Sequence, residues 1–213
     1  SAPTGPVSNP KCLTPTKHSC AIQWGPVETS LQNGVMLGYN ISYMAGGALK
    51  FVVVGDSSVL TKEINGLDVF TEYTFVIRAY NKFGLGNETQ ITCKSGEGAP
   101  SAPPQNLSGV PESSTAISIT FGDIPERDQN GKVVYYLVCF YERALGNSTI
   151  QCLVVENTRS RREASFDQHS KTITGLKPYT EYVVQVLGHT IKDGVYSDPI
   201  TVTTAEDGGS RVR

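Results

Sequence analysis

Apolar and polar residues alternate in short runs along the whole chain, and no stretch keeps the 3.6-residue stripe of an amphipathic helix. In Cys20-Ala21-Ile22-Gln23-Trp24 the alternation sets Cys20, Ile22 and Trp24 on one face of a strand. Leu37 to Tyr43 follows, with Tyr39, Ile41 and Tyr43 inward and Asn40 outward. A Gly46-Gly47 turn then leads into Lys50–Val54 and Val59–Ile64. Tyr73–Ala79 alternates cleanly, and Thr89–Cys93 closes the first series. A second series begins with Ile117–Phe121 and continues through Tyr136–Phe140, Tyr182–Val186 and Ile200–Thr203. The pattern predicts an all-β chain.

The two series are copies. Leu67-Asp68-Val69-Phe70-Thr71-Glu72-Tyr73 returns 109 residues later as Leu176-Lys177-Pro178-Tyr179-Thr180-Glu181-Tyr182. A repeat of about 100 residues implies two compact units rather than one large domain. Up to the third strand the copies are offset by 97 residues, as from Tyr39 to Tyr136, and after the fourth by 109. The 12 extra residues therefore enlarge a loop in the stretch 156–170. This divides the chain into domains 1–97 and 98–207 and a flexible tail, 208–213. The join, Ser95 to Pro104, has glycines first and prolines later, which predicts a short, extended, semi-rigid linker.

Trp24 on the second strand, Asn33-Gly34 before the third, the Leu67-to-Tyr73 phrase and Asn81-x-x-Gly84-x-Gly86 together resemble the fibronectin type III pattern. The resemblance covers nearly the whole chain and implies two seven-stranded, two-sheet sandwiches in tandem. It also implies that Tyr73 and Tyr182 are corner tyrosines, tying the sixth strand's entry back onto the preceding turn. The second copy departs from the pattern in having Phe121 for tryptophan and Gly188-His189-Thr190 after its sixth strand. An immunoglobulin domain fits less well, because Trp24 follows Cys20 by only four residues.

Net charge and cysteines decide the compartment. A formal charge of −2 excludes a strongly basic nucleic-acid binder, and no apolar run approaches the ~18 residues that span a bilayer. Ser1 to Pro6 lacks the charged and apolar regions of a signal peptide, so a mature segment of a longer, membrane-anchored chain is expected. Four acceptor sequons begin at Asn40, Asn87, Asn106 and Asn147. About one in every 150–200 residues follows from average usage, so the excess points to N-glycans and a position outside the cell.

Five cysteines leave one without a partner inside the chain. A hairpin centred on Leu145-Gly146 places Cys139 directly opposite Cys152, which predicts a cross-strand disulfide on the sheet's outer surface. A hairpin around Thr14-Pro15-Thr16 similarly opposes Cys12 to Cys20, although Cys12 aligns with outward Asn106 while Cys20 points inward. Cys93 aligns with Val202 and reads as a buried thiol, or as a partner for Cys12 or Cys20.

Chemistry is sparse. His18, His169 and His189 share no metal-ligand spacing. Gly-x-Ser-x-Gly, phosphate-cradling and calcium-loop patterns are absent, as is Arg-Gly-Asp, so neither catalysis nor a cofactor is expected. Arg159-Ser160-Arg161-Arg162-Glu163, in the enlarged loop, resembles a furin-type cleavage site with the scissile bond after Arg162; a plain solvated basic loop is the alternative.

The family resemblance implies a segment of a cell-adhesion molecule or adhesion-type receptor, similar to neural adhesion receptors or receptor tyrosine phosphatases. Its partner would be a protein ligand, or a second copy of the molecule, on another cell or in the matrix. Expected contact surfaces are Asp123 to Lys132, the enlarged loop, and Lys192 to Tyr196, which could equally stiffen the joint between units. A cytokine-receptor-like pair is the first alternative, but Val195-Tyr196-Ser197-Asp198-Pro199 stands where Trp-Ser-x-Trp-Ser would fall. A matrix spacer without a ligand is the second.

Overall fold

The computed structural model describes residues 1–13, 15–158 and 168–207. The chain divides into two compact units, Ser1–Glu97 and Gly98–Arg213.

Unit 1 holds strands β1 (Ser8–Cys12), β2 (Ser19–Gly25), β3 (Met36–Ala45), β4 (Ala48–Val54), β5 (Thr61–Asn65), β6 (Glu72–Asn81) and β7 (Gly84–Lys94). They form a three-stranded sheet, β1-β2-β5, and a four-stranded sheet, β4-β3-β6-β7. Unit 2 repeats this with β8 (Ser108–Ser113), β9 (Ala116–Gly122), β10 (Tyr135–Glu142), β11 (Gln151–Glu156), β12 (Gln168–Thr174), β13 (Glu181–His189) and β14 (Ile200–Thr203). Its sheets are β12-β9-β8 and β11-β10-β13-β14. Every pairing is antiparallel.

Each unit buries its own core. In unit 1, Ile22, Trp24, Tyr39, Ile41, Phe75 and Ile77 are all buried. Ile119, Phe121, Tyr136, Val138, Val184 and Val186 hold the corresponding places in unit 2. These are the inward positions of the alternation, since successive side chains of a strand point to opposite faces. The aromatic pairs Trp24–Tyr39 and Phe121–Tyr136 share one geometry, with ring centroids 5.2 Å apart and planes at 66°.

Replacing tryptophan by phenylalanine removes ring volume, and His169 refills it. Its ring stacks on Phe121 at 5.2 Å, while its Nε2 pairs with Asp123. Tyr136 donates its hydroxyl to the same carboxylate at 2.9 Å. In unit 1 the position 109 residues earlier is Leu60, an aliphatic side chain packed against the core. The two units thus fill one site with different pairs: Trp with Leu, and Phe with His.

The stretch read as a linker is divided between the units. Ser95 and Gly96 belong to unit 1, where Ser95 accepts from the backbone of Thr71 and Gly96 donates to Thr16. Residues 98–101 belong to unit 2. There Gly98 donates to Asn130, Ser101 donates to Asp128, and the Thr190 hydroxyl donates to Gly98 at 2.6 Å.

Candidate interaction surfaces

The repeated phrase builds the same corner twice. Tyr73 accepts the backbone N–H of Asp68 at 2.9 Å, and Tyr182 accepts that of Lys177 at 2.9 Å. The turn between them needs a left-handed residue, supplied by Phe70 (φ 50°) and Tyr179 (φ 45°). A second hydroxyl locks each corner from the last strand's end. Ser95 donates to Asp68 O at 2.5 Å, and Thr204 donates to Lys177 O at 2.6 Å. Ser95 and Thr204 also stand 109 residues apart. The shared offset was the available signal for this second lock, which the strand pattern did not reveal.

The cysteines fall into two bridges and one thiol. Cys139 and Cys152 are paired in register and joined across β10 and β11. Their bridge lies on the outer face, yet Cys139 is only 1% exposed. The Tyr196 hydroxyl sits 3.9 Å from its Sγ. The Cys12–Cys20 pairing is not formed; Cys12 is bonded to Cys93 instead. The register explains the correction. Thr16 and Ser19 close the β1–β2 turn, so Cys12 lies opposite Ile22 rather than Cys20. The Cys12 side chain, on the same face as its register partner Ile22, reaches the end of β7, with Cα atoms 5.5 Å apart, and the bridge joins the two sheets at the sandwich edge. Cys20 is free and buried opposite Ile64, and burial pushes its thiol above the ordinary range, leaving it protonated and unreactive at neutral pH.

The sequons differ in setting. Asn106 and Asn147 are exposed, the first in a turn with φ 53° and the second just after Gly146. Asn87 is exposed but donates its side-chain amide to Thr4 O at 2.6 Å. Asn40 is half-buried in mid-strand on β3, opposite Val53 of β4 and Arg78 of β6.

Asn40 sits in an apolar strip. Met44 on β3 and Leu49, Phe51 and Val53 on β4 all face outward, with Phe51 61% and Val53 60% exposed. β4 is an outer strand of its sheet, and Lys50 is its single charge. Arg78 and Glu88 flank the strip with a 2.7 Å ion pair, and the guanidinium holds the Glu88 carboxyl below the usual range. Exposed Val35, Leu37 and Phe83 also line a surface cleft of about 360 Å³.

The loops 123–132 and 192–196 of unit 2 grip residues 98–101. Asp128 and Asn130 accept from that segment, and Gly194 lies so close to Pro100 that a Cβ there would fall 2.7 Å from its ring. Their backbones are therefore occupied, while Arg127, Val195 and Tyr196 keep exposed side chains. The basic motif Arg159, Arg161, Arg162 and Glu163 lies outside the described residues. Among the described residues no helix is long and apolar enough to cross a membrane, and no cluster of His, Cys, Asp or Glu has the arrangement of a metal site.

Paired three- and four-stranded sheets locked by a corner tyrosine define a β-sandwich module. The chain belongs to the fibronectin type III domain family, matched over residues 2–93 and 102–203. The cell adhesion molecule DSCAM of Gallus gallus is 32% identical over 216 residues, covering 97% of this chain and 10% of that protein. The cell adhesion molecule DSCAML1 of Mus musculus is 31% identical over a like span, and protein sidekick-2 of Mus musculus is 31% identical over 210 residues. The chain spans about a tenth of the length of these curated relatives. A solved structure of the chicken CNTN1 FN1–FN3 domains aligns with 96% of this chain and 68% of its own, at 20% identity and a TM-score of 0.46.

Proposed function

We propose that these two modules form part of the extracellular region of a cell-surface adhesion protein, where they present protein-binding faces and carry no catalysis. The observation that carries this is the match of nearly the whole chain, through both modules, to proteins described as cell adhesion molecules. Two disulfides and four sequons support the extracellular position. The partner is a second adhesion molecule, identical or different, on an opposing cell or in the matrix. Bead aggregation with the complete ectodomain tests the role. Deleting residues 1–207 is expected to reduce aggregation, and unchanged aggregation would assign these modules a spacer role.

The basic motif supports a finer reading: cleavage between Arg162 and Glu163 by a furin-type protease in the secretory pathway. Four of the five residues Arg159 to Glu163 are charged, and they fall within the insertion that unit 1 lacks. Mass spectrometry of secreted protein is expected to find a fragment beginning at Glu163, joined through no disulfide to its N-terminal part, because both bridges close before residue 159. An intact chain would remove this reading.

A further inference from the structure

The corresponding outer faces of the two units are covered differently. In unit 2, the position of Asn40 is taken by Leu137, and the Ser42–Phe51 pair is replaced by the Cys139–Cys152 bridge. Tyr196 lies over that bridge, and Leu187 beside it on β13 is 2% exposed. Unit 1 has the same four-stranded sheet with Phe51 and Val53 uncovered, and a glycan acceptor set among them. We propose that an N-glycan on Asn40 is the cover, its first N-acetylglucosamine residues lying along Phe51 and Val53.

The chemistry of attachment is a displacement. Asn40 Nδ2 attacks C1 of the terminal N-acetylglucosamine of a lipid-linked oligosaccharide. The C1–O bond breaks, the polyprenyl pyrophosphate leaves with the electron pair, and Nδ2 loses one proton. Ser42 at the third sequon position shares the outward face with Asn40.

Geometry then directs the sugar. Val53 is the direct cross-strand partner of Asn40. Phe51 is the diagonal neighbour, a separation of about 7–8 Å that long groups bridge. The C–H-rich face of the pyranose meets the electron-rich face of the Phe51 ring, and both lose contact with water. Arg78, also opposite Asn40, offers donors to the sugar hydroxyls on the other side. The cover also sits beside an edge strand that the sequence leaves weakly protected. β4 carries one charge, no proline and no bulge, the devices that usually prevent lateral pairing.

This inference rests on the extracellular reading, and the test separates the two. The full 213-residue chain is secreted from mammalian cells, and each sequon's occupancy is measured by mass spectrometry. Ser42→Ala removes the acceptor while keeping Asn40, and Phe51→Ser removes the surface to be covered. Trp24, the single tryptophan, reports the melting of unit 1. Asn40 is expected to be occupied, and Ser42→Ala to lower the unit 1 midpoint by about 4 °C or more and to raise binding of an apolar dye. In the Phe51→Ser background the same change should shift the midpoint by less than about 1 °C. Wild type trimmed enzymatically to one N-acetylglucosamine provides a measurement that needs no variant, and should keep most of the glycosylated midpoint. An empty Asn40 beside filled Asn106 and Asn147 overturns the proposal and leaves the extracellular reading standing. Four empty sequons overturn both. An equal Ser42→Ala shift with and without Phe51 overturns the cover alone.

Discussion

A chain carrying Cys12→Ser and Cys93→Val is expected to lose about 4.5 kcal/mol of unit 1 stability, the unfolded-chain entropy that closing so long a loop removes. The bridge joins residues 81 apart, and the loop term grows with the logarithm of that separation. Valine at position 93 keeps the inward apolar surface, since Val202 holds the equivalent place in unit 2. Urea titration followed by Trp24 fluorescence reads unit 1 alone, because unit 2 has no tryptophan. Removing Cys139–Cys152, which spans only 13 residues, is expected to cost unit 2 about 3 kcal/mol. A unit 1 loss below about 1 kcal/mol would mean that the bridge constrains little of the unfolded chain. Thiol counting gives the control. Unmodified protein should present one reactive thiol, Cys20, and only after unfolding, because it is buried and held protonated.

The second large effect is expected at Phe121. Phe121→Ala should cost unit 2 about 3–5 kcal/mol, the usual result of deleting a fully buried aromatic ring. It also removes the surface on which His169 stacks. Phe121→Trp distinguishes the specific packing from general apolarity. His169 fills the space beside the ring, so the larger indole should destabilise by about 1–3 kcal/mol through overpacking. Adding His169→Leu reproduces the Trp24–Leu60 pair of unit 1 and should recover most of that loss, a non-additivity that calorimetry of the four proteins measures. Additive costs would show that the two positions do not share the site.

The features written in local pattern were legible. Alternation located the strands, and the recurring Leu-to-Tyr phrase located both corners, because each tyrosine hydroxyl accepts an N–H from a residue five positions earlier in the same phrase. Register at β1–β2 was harder. Thr16-Lys17-His18-Ser19 carries no glycine or Asn-Gly signal, so the hairpin centre was open to a one-residue error. That error moved the partner of Cys12 by two residues, from Ile22 to Cys20. Cys93 depended on which strand lies beside β1 at the sandwich edge, a long-range fact that no local spacing encodes. His169 lay in register with Leu60 at the repeat's own offset, and a histidine over a core leucine was a signal that spacing rules for metals did not weigh. The Phe51 strip escaped because alternation assigns faces, and exposure of an outward apolar residue depends on what covers it.

The bridge between the first and last strands of unit 1 has a mechanical consequence. If tension reaches this segment along the backbone, the chain between Cys12 and Cys93 is bypassed by a covalent link. Some 81 residues, roughly 270–290 Å of extensible length at 3.3–3.6 Å each, then cannot pay out. Unit 2, in a chain left uncut between Arg162 and Glu163, hides only the 13-residue interval of its own link and would unravel almost fully under the same load. The pair thus couples an inextensible element to a yielding one, so an uncut second module would lengthen under load while the first keeps its fold.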